Sequence, residues 1–277
     1  SPSLYLNNIL LTELIIPEEI TEIKDYTFYN CVPITSVTIP NSVTSIGNDA
    51  LDFGSLESAS VYISDLIAWC KIDFNDSGST PFKYQLYLNN KLLTDVIIPE
   101  EITKIKDYTF SGCKSITSVT IHNGVTAIGE SAFRSCGSLT SITLPNSITS
   151  IGESAFAFCD SLTSITLPDR ITSIEPNTFS TCTSLTSLTI PNSVTSIGEG
   201  AFTSCFSLTS ITLPDRITSI EPSTFAASGL TTIIIPDRVT SIGEYAFRGC
   251  YLLTSVTISD NVKSIDEYAF YECGSLK

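Results

Sequence analysis

Residues 139–159 read Leu139-Thr-Ser-Ile142-Thr-Leu144-Pro145-Asn-Ser-Ile148-Thr-Ser-Ile151-Gly-Glu-Ser-Ala155-Phe156-Ala-Phe-Cys159. Ile142 and Leu144 alternate with hydroxyl residues, and this period of two predicts a half-buried strand. Pro145 ends the strand, because a residue without an N–H cannot continue the ladder. A second extended stretch up to Ile151 follows the corner, and the segment from there to Cys159 has room for only a helical or 3₁₀ turn.

The same unit recurs along the chain. Its phenylalanine recurs every 23 residues at Phe110, Phe133, Phe156, Phe179, Phe202 and Phe225, then at Phe247 after 22 and at Phe270 after 23. Its proline keeps the same phase at Pro17, Pro40, Pro99, Pro145, Pro168, Pro191, Pro214 and Pro236. One unit cannot bury its apolar side chains, whereas stacked units bury them in continuous columns. We therefore predict a repeat solenoid with a parallel sheet along one face, whose strands lie about 4.8 Å apart.

One solenoid is predicted to span residues 1–277, with an irregular, oversized module at about 48–85. In that module, residues 61–63 read as a strand, Ser64-Asp65 as a helix N-cap and residues 66–70 as a short helix, followed by a polar loop. The chain contains no Met, starts at Ser1 and stops where a new repeat would begin, so we interpret it as a fragment of a longer protein. Leu4–Cys31 and Leu86–Cys113 are nearly identical, and Leu162–Phe179 matches Leu208–Phe225, which indicates recent tandem duplication.

Composition limits the classes of function. With 14 Lys and Arg against 29 Asp and Glu, the formal net charge is −15, which argues against binding to nucleic acid or to an anionic membrane surface. Hydrophobic residues make up 42% and charged residues 16%, which excludes a disordered chain. No apolar run approaches the roughly 20 residues that cross a bilayer. The 40 Ser and 35 Thr reflect the repeat.

Cysteine follows the repeat as well. Eight of the nine share one phase: Cys31, Cys113, Cys136, Cys159, Cys182, Cys205, Cys250 and Cys273. A disulfide ladder is disfavoured because side chains stacked in register point the same way, whereas a bridge requires Cβ vectors that face each other. A zinc site is disfavoured because ligand pairs at short spacing are missing. We predict a column of small buried thiols and no metal or cofactor.

Candidates for acid-base chemistry lack partners. His122 is the only histidine and stands where other repeats carry proline, so we predict a turn residue and no catalytic site. A column of acids could attract Ca²⁺, but we favour acids that open each turn: Asp25, Asp107, Glu130, Glu153, Glu199, Glu244 and Glu267. The segment after Asp73 resembles the start of an EF-hand loop but has Tyr84 where a bidentate Glu is needed. We read it as a polar turn.

Glycine recurs before these acids, as at Gly152, and suggests a site of positive φ. Glu175-Pro176 and Glu221-Pro222 occupy the same place in two repeats. We therefore expect that the backbone there does not require glycine.

The candidate site is a surface. Where isoleucine and leucine face the core, the alternate residues of each strand face solvent and form two hydroxyl columns: Ser118, Thr120, Ser141, Thr143, Ser164, Thr166, Ser187, Thr189, Ser210 and Thr212, with Ser255 and Thr257 beyond. Such a face is uncharged and rich in donors and acceptors, which suits a broad, wet protein contact. The alternative is strand propensity alone, which also places Ser and Thr at exposed positions. These columns contain no aromatic platform for a sugar or a base.

The unit Leu-x-x-Ile-x-Leu-Pro-x-x-x-Ile-x-x-Ile-Gly-x-x-Ala-Phe-x-x-Cys resembles the leucine-rich repeat of BspA-like, or Treponema pallidum-type, surface proteins over almost the whole chain. The segment Ala68-Trp69-Cys70-Lys71-Ile72-Asp73-Phe74 followed by Leu86-Tyr87-Leu88 resembles a spacer of that family. The resemblance implies a secreted or cell-surface protein that adheres to host matrix proteins. Three other possibilities stay open: a stalk that binds nothing itself, an ice-binding surface made of regular Ser-x-Thr columns, and an enzyme. The enzyme is the weakest of the three, because the candidate cysteine, histidine and acidic residues lack catalytic partners.

Overall fold

The structure, a computed structural model, describes residues 5–6, 9–54, 59–76, 78–79 and 83–277. The first half of the chain contains β1 (Tyr5–Leu6), β2 (Ile9–Leu10), β3 (Glu13–Ile15), β4 (Glu22–Ile23), β5 (Ser36–Thr38), β6 (Ser45–Ile46), β7 (Ala59–Ile63), α1 (Leu66–Lys71), β8 (Asp73–Phe74), β9 (Tyr84–Leu88), β10 (Lys91–Leu92), β11 (Asp95–Ile97), β12 (Lys104–Ile105), β13 (Ser118–Thr120) and β14 (Ala127–Ile128). The second half contains β15 (Ser141–Thr143), β16 (Ser150–Ile151), β17 (Ser164–Thr166), β18 (Ser173–Ile174), β19 (Ser187–Thr189), β20 (Ser196–Ile197), β21 (Ser219–Ile220), β22 (Thr232–Ile234), β23 (Ser241–Ile242), β24 (Ser255–Thr257) and β25 (Ser264–Ile265).

These strands form two parallel ladders that run along a solenoid, which confirms the predicted fold class. The first ladder consists of β3-β5-β7-β9, β11-β13-β15, β17-β19 and β22-β24, and β10 adds an antiparallel strand to β9. The second consists of β4-β6-β8, β12-β14-β16, β18-β20 and β21-β23-β25. Each regular turn contributes a three-residue strand to the first ladder and a two-residue strand to the second, with the proline corner between them.

The core is built from columns of identical side chains. Phe110 to Phe270 form an unbroken stack in which adjacent ring centroids lie 5.1–5.7 Å apart. Beside it, the thiols of the cysteine column from Cys136 to Cys273 each donate to a phenylalanine carbonyl of the preceding turn, as from Cys182 Sγ to Phe156 O at 3.1 Å. Because each of these side chains packs against its equivalents in the adjacent turns, the same residue type recurs along most of each column.

The corner that carries the phenylalanines is a series of turns, and α1 is the only α-helix in the described ranges. Ser154 and Phe158 both have a positive φ, and equivalent residues repeat this in most turns. This backbone directs amides along the solenoid axis, so Phe133 N–H donates to Ala155 O at 2.9 Å and Phe156 N–H donates to Thr178 O at 3.0 Å. The left-handed residues cost free energy singly, and these bonds between turns offset that cost.

The oversized module follows the sequence prediction where it is described. Asp65 caps α1 by accepting the Ile67 N–H at 2.8 Å. The buried Trp69 donates through Nε1 to Thr109 O at 3.0 Å, and Tyr84 N–H donates to Gly112 O at 3.0 Å, so the module contacts the next regular turn. Part of the predicted polar loop after Asn75 lies outside the described residues.

Both ladders are interrupted at two further places, which we call open joints. At the first open joint, no strand pairing links β15 to β17 or β16 to β18. At the second, β19 and β20 lack pairing to the following turn, and Ser210–Thr212 is not a strand, in contrast to the pattern of the other repeats. We call the joints at which the strands of both ladders pair closed joints. They also contain a threonine hydrogen bond, such as the one from Thr186 Oγ1 to Thr163 O at 3.1 Å. Its counterparts are missing at both open joints, while the phenylalanine corner stays bonded.

The open joints coincide with Glu-Pro pairs. A Cβ added to Gly152 would lie 2.5 Å from the Glu130 nitrogen, so glycine permits close approach of adjacent turns, and its φ is not positive. As expected, the backbone conformation there does not require glycine, although in the Gly-Glu turns an added side chain would force adjacent turns to shift. Asp266 takes the same slot and still donates to Ile242 O at 2.9 Å, so a short side chain alone does not open a joint. Glu175 differs from Asp266 because it is followed by proline. Proline restricts the backbone of the residue before it, so Glu175 cannot shift its backbone to let the two turns pair.

Candidate binding face

The predicted hydroxyl columns lie on the solvent side of the first ladder, here called the outer face. Their registers are those predicted: Ser118 pairs with Ser141, Thr120 with Thr143, Ser164 with Ser187 and Thr166 with Thr189. All of them are exposed except Ser118, which is half-buried and donates to Asp95. The intervening residues, Val119, Ile142, Ile165 and Leu188, are buried. Ser210 and Thr212 are exposed too, although they lie beyond the break in the ladder.

These hydroxyls differ from the other threonines of the repeat in their hydrogen bonding. At closed joints, the threonine before the strand bonds back to the preceding turn, as Thr140 Oγ1 does to Thr117 O at 3.0 Å. Within the described chain, no side-chain hydrogen bond is made by the column members after Ser118, namely Thr120, Ser141, Thr143, Ser164, Thr166, Ser187, Thr189, Ser210 and Thr212. The outer face therefore offers donors and acceptors that the fold does not use.

The second open joint forms a groove of about 550 Å³ on this face. It is lined by Asp169, Ser187, Leu188, Thr189, Ile190, Pro191, Asn192, Ser210, Ile211 and Thr212. The side chains of Leu188 and Ile190 are buried, so the groove exposes mainly hydroxyls, an amide, a carboxylate and main chain. The columns are thus interrupted by a polar depression rather than running as a uniform plane.

Towards the N-terminus the outer face carries apolar and aromatic residues. The registers place Ile15, Thr38, Tyr62 and Tyr87 in the threonine column. The rings of Tyr62 and Tyr87 stack with centroids 4.8 Å apart and planes 24° apart. Although the repeats used to define the columns lack aromatic residues, the face as a whole has an aromatic platform. Ile15, Ile97 and Ile234 are each 71% exposed. This platform was not predicted from the sequence, because the oversized module interrupts the 23-residue period from which residues were assigned to the solvent side of the strands.

A second groove of about 300 Å³ borders Tyr62, and we call it the tyrosine groove. It is lined by Glu13, Leu14, Ile15, Ser36, Thr38, Tyr62 and Asn90. Glu13 begins β3, and Asn90 lies in the hairpin that joins β9 to β10, so an acid and an amide border one wall of aromatic carbon.

The cysteine column consists of free thiols. Burial raises the pKa of Cys182 well above its ordinary value and that of Cys205 to about 12. In the repeat without cysteine, Ser228 Oγ lies 3.4 Å from Cys250 Sγ. Thiols that are protonated and buried in this way are poor metal ligands and poor nucleophiles.

His122 completes a turn. Its Nε2 lies 3.0 Å from Pro99 O and 3.1 Å from Ile102 O, while Nδ1 accepts the Gly124 N–H at 3.0 Å. The imidazole is therefore committed to main-chain groups on both nitrogens. This arrangement agrees with the predicted turn role.

The acidic column serves the turns as well. Asp25 Oδ1 accepts the Asn48 N–H at 2.8 Å, and Asp107 Oδ1 accepts the Glu130 N–H at 3.0 Å, both one turn later. No group of three or more His, Cys, Asp or Glu in the described ranges could hold a metal ion. In the loop that resembles an EF-hand, Asp76 accepts the Gly78 N–H at 2.9 Å, and Ser77 lies outside the described residues. Asp25, Asp107 and Asp76 thus bind main-chain amides.

Comparison with known proteins matches this architecture. The family model of the BspA type leucine rich repeat region, which contains six copies of the repeat, matches this chain over residues 2–69, 82–186 and 172–277. A leucine rich cell surface protein from Faecalibacterium prausnitzii is 28% identical with a TM-score of 0.58, over 96% of this chain and 86% of that one. The T. pallidum leucine rich repeat protein is 28% identical with a TM-score of 0.53, over 66% and 78% of the chains.

A leucine-rich repeat protein from Bacteroides ovatus is 25% identical with a TM-score of 0.56, over 98% of this chain and 74% of that one. Comparison with curated proteins finds no match. In the part of the chain that the structure describes, no helix has the length and apolarity needed to span a membrane.

Proposed function

Because the chain belongs to the BspA-type leucine-rich repeat family, we propose that it is a non-enzymatic protein-recognition module of the cell surface or of a secreted protein, and that its outer face binds the partner. The observation that supports this most strongly is the set of unused hydroxyls. A folding role would engage them, as it engages the threonines that precede the strands at closed joints and bond back to the previous turn.

The form of the face suits a protein partner. Short Ser and Thr side chains lose little rotamer entropy on binding, and each supplies both a donor and an acceptor. Both grooves described on this face are open to solvent, and broad wet contacts are typical of protein–protein recognition. A host matrix protein is the partner that we propose, by analogy with the adhesion that the family resemblance implies.

Charges lie at the rim. Arg170, Arg216 and Arg238 are exposed beside the proline corner in a chain of net charge −15. Rim charges affect association rate and salt dependence more than affinity. We expect the contribution of these arginines to disappear at high salt while that of the neutral hydroxyl columns persists.

A stalk that carries another domain is the second candidate. The continuous phenylalanine stack and the axial main-chain bonds suit a rod-like spacer. A stalk predicts that no partner binds the outer face.

The test is biolayer interferometry of the chain against immobilised fibronectin, fibrinogen, collagen, laminin and mucin at low and high salt. For whichever protein binds, the face is tested by replacing four column members with Asp: Ser164, Thr166, Ser187 and Thr189. The matched control places the same four charges on or directly before strands of the second ladder, at Ser150, Thr172, Ser196 and Thr218, which are exposed.

We expect saturable binding that the first variant abolishes and the control retains, with unchanged circular dichroism in both. Loss of binding in both variants would mean that net charge, not the outer face, governs the contact. Absence of binding to the whole panel would favour the stalk.

A further inference from the structure

The tyrosine groove has one free aromatic wall. Tyr62 lies between Tyr87 and Thr38 in the register of the first ladder. One ring face of Tyr62 packs against Tyr87 at 4.8 Å, so the opposite face is the one that borders the groove over Thr38 and Ile15. An aromatic face carries the negative part of the ring quadrupole and attracts cations.

The groove also has an unpaired acid. Glu13 is exposed and takes part in none of the ion pairs found among the described residues. Ser36 and Thr38 place hydroxyl oxygens along the floor, and Asn90 places an amide at the border. A carboxylate, hydroxyls and an amide oxygen together accept hydrogen bonds from a donor-rich group that carries positive charge.

The protein itself uses arginine on aromatic rings elsewhere. The Arg134 guanidinium lies 5.0 Å from the Phe158 ring centroid, and that of Arg248 lies 5.3 Å from the Tyr245 centroid. Tyr62 takes part in neither contact, so its ring face is not covered by either arginine. An external guanidinium could adopt the same geometry there.

We infer that the tyrosine groove is a subsite for an arginine side chain of a basic segment in the partner protein. Arginine fits better than lysine because its planar group stacks on a ring while its five N–H donors reach acceptors at the edge. The volume of about 300 Å³ accommodates one long side chain rather than a folded element. The net charge of −15 attracts such a segment from a distance.

This inference extends the proposed function, because the groove lies on the same outer face, and it names the chemistry of the partner. It places a specific contact at the N-terminal end of the face, made by a tyrosine, a residue type that is enriched in protein interfaces. The hydroxyl columns would then supply complementarity along the rest of the contact.

The experiment titrates the fragment into three fluorescein-labelled octapeptides, in which glycine alternates with arginine, lysine or glutamine, and records fluorescence anisotropy. We expect affinity in the order arginine, lysine, glutamine. Replacing Tyr62 by Leu should weaken arginine-peptide binding about two- to fivefold, the worth of an exposed cation–π contact. Tyr62→Phe keeps the ring and should leave the affinity unchanged.

Glu13→Gln should weaken binding by a similar two- to fivefold factor, the worth of an exposed ion pair. Glu244→Gln is the matched control, because this exposed glutamate lies near the other end of the solenoid and its loss changes net charge equally. Equal weakening by Glu13→Gln and Glu244→Gln would reduce the effect to net charge and overturn the inference.

An unchanged affinity in a folded Tyr62→Leu variant would also overturn it, with folding checked by circular dichroism. The titration needs no matrix protein. A negative matrix panel would therefore count against the proposed function alone, and a negative titration against the arginine subsite alone.

Discussion

Replacing Glu221 by Gly and Pro222 by Glu gives the second open joint the Gly-Glu pair of the closed joints. The first replacement removes the Cβ that stands where adjacent turns meet, since at closed joints such an atom would lie 2.5 Å from a backbone nitrogen, as at Gly198. The second removes the restraint that proline places on the preceding residue. We expect both ladders to close and the groove beside Thr212 to disappear.

The magnitude follows from the bonds of a closed joint. The joint one turn earlier has three main-chain bonds outside its strands: Thr186 N–H to Thr163 O at 2.9 Å, Thr195 N–H to Thr172 O at 2.9 Å and Gly198 N–H to Ile174 O at 2.8 Å. At about 1 kcal/mol each they contribute about 3 kcal/mol. The added glycine and the lost proline widen the unfolded ensemble and together cost about 1 to 2 kcal/mol. The free energy of unfolding should therefore rise by about 1 to 2 kcal/mol.

Two measurements test this: urea unfolding for the free energy, and hydrogen exchange of the Thr209 and Thr218 amides for the ladders. Exchange at both should slow, while Thr231, whose bond to Thr209 already exists, should not change. Exchange as fast as in the parent chain would refute the idea that the Glu-Pro pair opens the joint. The reciprocal control, Gly152→Glu with Glu153→Pro, should open a closed joint and lower stability by about 1 to 3 kcal/mol.

Three further predictions concern stability. Phe179→Ala removes a fully buried ring from the middle of the stack and should cost about 3 to 5 kcal/mol in urea unfolding, whereas a loss under 1 kcal/mol would show that the columns tolerate gaps. Asp65→Ala removes the cap of α1 and should cost about 1 kcal/mol, measured as the thermal midpoint, with Asp65→Asn as the control that retains an acceptor. Burial raises the thiol pKa values above the ordinary 9.0 of the unfolded chain, to about 11 at the partly exposed Cys273. The stability that the protonated thiols contribute is therefore fully present below pH 9 and is lost as the pH rises above it. Urea unfolding at pH 8 and pH 10.5 should show that loss, and a thiol reagent at pH 8 should react with the native chain far more slowly than with the unfolded one; equal rates would contradict it.

Most of the fold could be predicted from the phase at which residue types recur along the chain. Phenylalanine, proline and cysteine at one period identify which residues share a column, and alternation across Ile142 identifies the inward side of a strand. Stacking then follows, because no other arrangement buries those columns. The helix after Asp65 was equally predictable, since its cap has a local signature. These features depend on chemistry within one turn or on its exact repetition.

The open joints and the aromatic platform depend instead on the relation between turns. That a side chain in the place of Gly152 would meet the backbone of the preceding turn is a matter of interturn distance, which sequence spacing does not contain. The pairing of Tyr62 with Tyr87 required the register through the module, where the period is lost. The Glu-Pro pairs were visible as departures from Gly-Glu, but their meaning needed the 2.5 Å approach at Gly152.

The same irregularities decide against ice binding. An ice-binding face needs one lattice repeated without interruption, whereas here the columns break at both open joints and are replaced by exposed Ile97 and Ile234 at either side of the hydroxyl region. Within the hydroxyl region the longest paired row spans only three strands, β11-β13-β15, and the first of these carries Asp95 and Ile97 in place of hydroxyls. We expect no thermal hysteresis from the fragment at millimolar concentration, and a measurable freezing-point gap would refute this reasoning. A surface of short hydroxyl rows, polar grooves and single apolar anchors instead matches the varied chemistry of a protein partner.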